Sequence, residues 1–514
     1  MVAHADAADL SITQPHLVAW ADWALAQARA VALRLQSELQ GELQNRAGAH
    51  SGHGTDAVFL TAYDGATVLN QRLPELGLNP EPRLSPNGSC RLLAVGSRWL
   101  ALNLARADDW SLLPAWLQRD KIFADWQSVL DALADASRDS SAPDAAALVA
   151  RGRDMSLPIA LLPELISGQA VANSPSVASN SAGGSETILS QNTVSKSGPN
   201  LAADLTSVCP LHQIAEVRQR KPLQEMLVVD LAALWAGPLC SHVLQQAGCQ
   251  VVKIESSQRP DGARWGTPDF FQRIHAGKTL REVDFRSATE LHALRDLLAS
   301  ADIVIEGSRP AALQRLGLDR RSIARHRATA GHFNKGIRES DEAGQTGADP
   351  RGSISSGSIS SGSIPSGSDE HGFDPNRAKQ SRARQSRARQ SRFQTQILDP
   401  AGSSNEPLWV AVTAYGLSQP FCNWVGFGDD VAAAAGLMQW VAGEPRFCGD
   451  AVADPLTGLF AAAAILERLH AGQTGLLEAS MFAVAQHCRH SLPTWRTPSS
   501  SAPSVAASPK GHVG

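Results

Sequence analysis

Asp454 is the residue of this sequence best placed to do chemistry. It stands directly before Pro455 in the run GDAVADPLTGLFAAAAILERLH at residues 449–470, which predicts a helix from Pro455 to His470. Asp at the N-cap followed by Pro at the first helical position is a common way to begin a helix, so one hypothesis for Asp454 is capping. A helix N-terminus also favours an ionised carboxylate, which is a nucleophile toward an activated acyl group. The two roles are compatible, but they predict different effects of Asp454→Asn.

A second candidate is the loop Trp235-Ala236-Gly237-Pro238 within the segment MLVVDLAALWAGPLCSHVLQQAGCQVVKIE at residues 226–255. The segment predicts a strand at 226–229, a helix ended by Gly248 and a strand at 250–254, which together form a right-handed βαβ unit. Parallel sheets bind ligands beyond the carboxyl ends of their strands, where this loop lies. The loop has no G-x-G-x-x-G, so the dinucleotide-binding fingerprint is missing.

Composition limits the classes of function. The 514 residues carry 46 Lys and Arg against 50 Asp and Glu, so the net charge of −4 favours no particular partner. The seven cysteines show no C-x-x-C spacing, which argues against a disulfide framework and a zinc site. The first residues lack the pattern of a signal peptide, and the longest apolar run, 456–466, is too short to span a bilayer. We therefore expect a cytoplasmic protein with no metal, membrane or nucleic-acid partner.

The basic run at 377–392 is the one feature that could contact nucleic acid, but it lacks interleaved aromatic residues and fits a solvated loop better.

Changes in composition divide the chain into zones. The repeats GSISS and SRARQ mark low complexity, and the Ser-, Asn- and Gly-rich stretch after residue 168 cannot bury enough apolar surface to fold. The predicted zones are a globular N-terminal part at 1–168, a flexible linker at 169–222, an α/β domain at 223–332 and 405–495, a disordered insert at 333–404 and a disordered tail at 496–514.

The α/β zone resembles the class III CoA-transferases of the CaiB/BaiF type, a family that includes formyl-CoA transferase, carnitine CoA-transferase and α-methylacyl-CoA racemase. The resemblance is carried by motifs in a fixed order over about 200 residues. After the segment at 226–255 these are ARWG, IHAGKTLREVDF, ADIVIEGSRPAALQRLGLD, VAVTAYG, GFGDDVAAAAGLM and VADPLTGLFAAAAILERLHAGQTG. It implies a Rossmann-like parallel sheet and transfer of coenzyme A between an acyl-CoA thioester and a carboxylic acid. CoA is then a substrate, and no permanently bound cofactor is expected.

The resemblance also assigns roles to single residues. Asp454 matches the catalytic aspartate, which forms a mixed anhydride and then an aspartyl-CoA thioester. The remaining matches are positions that contact CoA: Trp235 and Ala236 in the loop, Arg264 and Arg315 at the nucleotide and phosphates, and Gly307, Ser308 and Arg309 at the adenine.

The sequence departs from the family in several places. A lysine of some members is replaced by Ala414, and the His-Asp pair of the racemases falls near Gly428 and Asp429, where the His is absent. An N-terminal stretch, RLSPNGSCRLLAVGSRWLALNLARADDWSLLPAWL, resembles the small domain that normally follows the catalytic helix. Two alternatives to a transferase therefore stay open: an α-methylacyl-CoA racemase or epimerase, and a non-catalytic CoA-binding remnant. Family members form interlocked dimers, so the resemblance also points to a homodimer.

Overall fold

The computed structural model describes residues 14–47, 64–76, 81–136, 143–166, 169–171, 201–216, 220–329 and 406–489. Sixteen helices of this part are numbered here in chain order, and two single-turn 3₁₀ helices lie at Leu223–Glu225 and Phe421–Asn423. The helices are α1 (Pro15–Ala47), α2 (Gly65–Leu69), α3 (Leu73–Leu76), α4 (Ala107–Leu117), α5 (Trp126–Ala136), α6 (Ala145–Asp154), α7 (Leu201–Val208), α8 (Ala236–Gln246), α9 (Ala263–Gly266), α10 (Pro268–His275), α11 (Ala288–Ser300), α12 (Pro310–Leu316), α13 (320–329), α14 (Gly428–Ala435), α15 (Ala453–His470) and α16 (Met481–Cys488).

The strands of the described residues form one large sheet, one small sheet and two hairpins. They are β1 (Cys90–Val95), β2 (Arg98–Asn103), β3 (Ile159–Leu161), β4 (Glu164–Ile166), β5 (Gln169–Val171), β6 (Leu211–Glu216), β7 (Leu227–Asp230), β8 (Gln250–Ser256), β9 (Thr279–Val283), β10 (Ile303–Glu306), β11 (Leu408–Thr413), β12 (Met438–Val441), β13 (Glu444–Phe447) and β14 (Gln473–Ser480).

The large sheet has the strand order β6-β14-β11-β10-β7-β8-β9. Every pairing is parallel except that of β6 with β14. Alternation along β10 shows the two faces: Ile303 and Ile305 join the core under α1, α8 and α15, whereas Val304 joins the core under α11 and α12. Strands buried on both faces and covered by helices confirm the predicted Rossmann-like α/β class.

The N-terminal part is joined to this sheet by packing. Strands β1, β2 and β3 form an antiparallel sheet covered on one face by α4, α5 and α6. Its other face packs against the α/β part, where Cys90 and Ala101 share a core cluster with Ala433 of α14 and Phe447 of β13. Helix α1 lies along α15, with Trp20 and Phe460 in one cluster. The segments that precede the α/β zone therefore form one face of its core.

Three predictions need correction. The zone 169–222 is not a linker throughout, because 201–216 holds α7 and β6, and β6 completes an edge of the large sheet. The sequence predicts a helix near 430–441, but the helix found there, α14, ends at Ala435, since Gly436 adopts φ +84° and β12 follows. Helix α15 begins at Ala453 rather than after Asp454, so Asp454 lies in the first turn. The apolar run at 57–62, which predicts a strand, lies outside the described residues, as do the insert 333–404 and the tail 496–514.

Candidate active site

Asp454 lies where two helices begin. It is the second residue of α15, whose N-cap Val452 makes no side-chain capping bond. Its Oδ2 accepts a hydrogen bond of 3.1 Å from the backbone N–H of Gly428, the first residue of α14. Both helix N-termini therefore place partial positive charge at this carboxylate. Asp454 does not cap its own helix, so the capping hypothesis is wrong.

Three further carboxyl groups surround this junction. Asp429 and Asp430 lie in the first turn of α14, and Asp450 lies in the loop before α15. All three are at most 2% exposed, whereas Asp454 is partly exposed. Among these four acids, Asp454 is thus the one with the greatest exposure to solvent.

The N-terminal part supplies polar partners to the buried acids. The Arg72 guanidinium donates to both carboxylate oxygens of Asp450, with Nε–Oδ2 2.8 Å and Nη2–Oδ1 2.7 Å. Asn87 donates to Asp429 Oδ2 at 3.1 Å, and Asn103 donates to Asp430 Oδ1 at 3.0 Å.

Burial and charge separate the acids by pKa. Burial raises the pKa of Asp454 to about 6, although the Arg72 charge and the Gly428 N–H act in the opposite direction. Burial raises the pKa of Asp430 to about 8 and also raises the pKa of Asp429, with a further contribution from the Asp450 charge. Near pH 7 Asp454 is therefore mainly ionised, while Asp430 is mainly protonated.

The loop after β7 reaches the same helix from another side. Trp235 is fully buried, with Arg72 above its ring at 4.7 Å and Phe270 at 5.3 Å. Ala236 is also buried, and its carbonyl lies so close to Gly458 of α15 that a Cβ there would come within 2.6 Å of it. Both side chains that the resemblance assigns to this loop are therefore enclosed.

A cavity of 210 Å³ opens at the carboxyl ends of β7, β8 and β10, the edge where the sequence places ligand binding. Ser308 lines it together with Ala232, Lys253, Glu255 and Asp261. Gly307 next to it is exposed. The structure therefore brings the predicted adenine position to a concave site at the switch between strands.

The predicted phosphate-binding arginines differ in their surroundings. Arg264 is partly exposed, donates to both oxygens of Glu255 at 2.9 and 2.5 Å and lies over the Phe271 ring at 4.2 Å. A phosphate there would have to share the guanidinium with Glu255. Arg309 is exposed and donates to Ser156 Oγ at 3.3 Å, and Arg315 is exposed on α12.

Comparison with known proteins finds a family match for the segment that contains β7, β8 and β10. Residues 223–328 match the family model of CoA-transferase family III. The match covers about a fifth of the chain, and over this segment the chain is similar to proteins of that family. It is 29% identical over 97 residues to a CaiB/baiF CoA-transferase family protein of Caenorhabditis elegans, covering 19% of this chain and 26% of that protein. It is 28% identical over 103 residues to the formyl-CoA:oxalate CoA-transferase of Escherichia coli O6:H1, covering 19% and 25%.

The crystal structure of a CaiB/BaiF family protein from Brucella suis aligns over 52% of this chain and 55% of that chain, with 20% identity and a TM-score of 0.33. The chain spans about a quarter of the length of the curated relatives it matches. The segment matched to CoA-transferase family III holds the loop at Trp235 and the cavity at Ser308, while Asp454 lies beyond it.

Neither clusters of metal-binding side chains nor helices able to cross a membrane occur in the part of the chain that the structure describes. Its residues contain no group of three or more His, Cys, Asp or Glu side chains able to hold a metal ion. No described helix combines the length and apolarity that a bilayer crossing demands.

Sequence reasoning missed the acid cluster and its N-terminal partners. The Asp pair in GFGDD was a visible signal for the first turn of a helix, but nothing in the sequence links Arg72 to Asp450, 378 residues later.

Proposed function

We propose that this protein transfers coenzyme A between an acyl-CoA thioester and a carboxylic acid, with Asp454 as the nucleophile. The observation that carries the proposal is the contrast in the acid cluster. Asp454 is the partly exposed acid, is ionised near neutral pH and lies at two helix N-termini, while its neighbours are buried. A positioned, ionised carboxylate is what attack on a thioester requires.

The reaction proceeds by four acyl substitutions that balance without any other reactant. The Asp454 carboxylate attacks the thioester carbonyl and expels CoA thiolate, which leaves a mixed anhydride. The thiolate attacks the aspartyl carbonyl, giving an aspartyl-CoA thioester and the free donor acid. The acceptor carboxylate then attacks this thioester and expels the thiolate again. Attack of the thiolate on the acceptor acyl carbonyl releases the new acyl-CoA and restores Asp454.

The groups that would hold CoA lie on the sheet edge. The cavity at Ser308 suits the nucleotide, and Arg264, Arg309 and Arg315 are the cations we assign to the phosphates, since a guanidinium donates bidentately to phosphate oxygens. The loop at Trp235–Ala236 would lie beside the pantetheine arm on its way to α15.

A trapping experiment tests the proposal. The protein is incubated with acyl-CoA of several chain types, treated with hydroxylamine and analysed by peptide mass spectrometry. We expect an adduct on the peptide that contains Asp454, and none in Asp454→Asn, whose side-chain oxygen still accepts from Gly428 N–H. Asp108→Asn, at an exposed position of α4, is the matched control and keeps the adduct.

The same samples separate the alternatives. Deuterium exchange at the acyl α-carbon without an adduct would identify a racemase or epimerase. Measurable CoA binding with neither adduct nor exchange would identify a non-catalytic CoA-binding protein. Either result contradicts the transferase proposal.

A further inference from the structure

We propose that Arg72, in the N-terminal part, is a positioning residue for Asp454: through its bidentate contact with Asp450 it fixes the loop 449–452 that leads into Asp454. The inference rests on the proposed role of Asp454 as nucleophile, and it assigns part of that site to a segment far outside the matched family region.

The contact between Arg72 and Asp450 is buried and bidentate. The Arg72 side chain is 15% exposed and the Asp450 side chain is fully enclosed, with both carboxylate oxygens bonded to the guanidinium. The guanidinium also covers the Trp235 ring at 4.7 Å. The backbone of Arg72 is held as well, because its carbonyl accepts from the N–H groups of Glu75 and Leu76, the last two residues of α3. Such a fork orients its partner in a way that a flexible surface pair does not.

The loop that Arg72 holds leads directly into the nucleophile. Ala451 adopts φ +46°, a left-handed conformation that costs a non-glycine residue free energy and needs support from its surroundings. That support comes from Asp429 Oδ1, which accepts from Ala451 N at 2.8 Å, and from Asp450 held by Arg72. The Ala451 carbonyl then accepts from Asp454 N at 2.8 Å. Movement of Asp450 would thus move the first turn of α15.

Charge links the same residues. The groups that act on the Asp454 carboxylate are the Arg72 cation, the Gly428 N–H and the like charge of Asp450. Arg72 in turn interacts with Asp450, Asp429 and Asp454, which together keep its pKa raised in spite of burial. Arg72 and Asp450 therefore act on the ionisation of Asp454 in opposite directions.

Because Arg72 and Asp450 act on Asp454 in opposite directions, substitutions of the two residues should shift its titration in opposite directions. A contact that only stabilised the fold would produce no such pair of shifts. Modification of Asp454 by a carbodiimide and an amine, read by peptide mass spectrometry between pH 4.5 and 8.5, follows its protonated form and needs no turnover. Acyl-adduct formation at Asp454 in a single turnover follows its ionised form. Arg72→Gln should raise the midpoint of both profiles by about one pH unit, because an opposite charge is lost. Asp450→Asn should lower both midpoints, because a like charge is lost.

Arg72→Lys keeps the charge but not the bidentate contact. We expect its midpoint to stay at the wild-type value while the plateau rate of adduct formation falls about tenfold, as misplacement of a reacting group predicts. Arg273→Gln is the matched control. Arg273 of α10 is half-exposed and forms an ion pair with Glu75 of α3, which also joins the N-terminal part to the α/β part. This variant should leave both profiles unchanged.

The outcomes distinguish the two proposals. Shifts of the Arg72→Gln and Asp450→Asn midpoints in the same direction, or no shift, overturn the role of Arg72 even when the wild-type protein forms the adduct. A wild-type protein that forms no acyl adduct overturns the proposed function, while the carbodiimide midpoints still decide whether Arg72 controls the ionisation of Asp454. If Arg72→Gln fails to fold, the Asp450→Asn midpoints and the Arg72→Lys plateau rate test the role of Arg72 in its place.

Discussion

The acids at the start of α14 and α15 show how one residue type is given different properties by its surroundings. Asp454 keeps access to solvent and two helix N-termini, so its carboxylate is charged near neutral pH. Asp430, two residues after Gly428 in α14, is wholly enclosed, and its Oδ2 has no hydrogen-bond partner among the described residues. A neutral acid is the form that such a position tolerates.

The protonation of Asp430 makes stability depend on pH. The pKa of Asp430 is about 8 in the folded protein, above the ordinary value of about 4 in an unfolded chain. The contribution of Asp430 to the free energy of unfolding is therefore fully present below pH 4 and is lost as the pH rises to 8. Asp430→Asn should therefore stabilise the fold by ~1–3 kcal/mol at pH 8 and by less at pH 5. Thermal unfolding of wild type and variant at both pH values measures this, with the exposed Asp108→Asn as control. A gain that is equal at the two pH values would contradict the assignment.

At the scale of elements, the site depends on how closely α14 approaches α15. Gly428 permits that approach: a Cβ there would lie 2.3 Å from the Ala451 carbonyl oxygen and 2.5 Å from Asp454 Oδ2. The close packing of α14 on α15 therefore requires a residue without a side chain at position 428, and not a residue with an unusual φ.

Gly428→Ala should separate the two helices. We expect a loss of about 1–3 kcal/mol in the free energy of unfolding, as overpacking costs, together with loss of the adduct at Asp454. Gly266→Ala is the matched control, since no atom lies within 4 Å of the added Cβ. Chemical denaturation and the trapping assay are the two measurements. If Gly428→Ala formed the adduct as fast as wild type, the close approach of Gly428 to Asp454 would not be needed for the reaction.

The same scale shows what the sequence can and cannot predict. The sequence predicts β7 and β8, because strands buried on both faces form continuous hydrophobic stretches. The edge strand β6 was missed, since mainly Leu211 of LHQIAE is buried and a Ser-rich stretch precedes it. The role of Asp454 was proposed from residue type and position, but its partner Gly428 depends on tertiary contact.

At the scale of the whole molecule, the N-terminal part and the α/β part fold as one unit. Their junction contains the buried pair Arg72–Asp450, the contact of Asn103 with Asp430 and the packing of α1 along α15. An interface with this much buried polar and apolar surface is unlike that between independent domains.

Co-expression of separate fragments checks this unity. We expect a fragment ending at residue 180 to co-purify with one beginning at residue 181, because the junction is assembled by side-chain contacts and not by chain continuity. The second fragment alone should be insoluble, since α15 would lose the cover of α1. Stable, separately soluble fragments would contradict the single-unit description. Assembly into a homodimer stays a prediction, which light scattering of the intact protein measures.

The pairing of β10 with β11 has a consequence for engineering. Ile303 faces Leu408 across the two strands, and Arg320 of α13 forms an ion pair of 2.7 Å with Glu406. The chain therefore leaves the sheet after α13 and re-enters it at a neighbouring point. Closing a loop between two nearby points costs only about 0.6 kcal/mol for each doubling of its length. This position is accordingly an insertion site. A fluorescent or affinity module could replace residues 333–404 without changing the structure of the sheet or of the contact between α14 and α15 at Asp454.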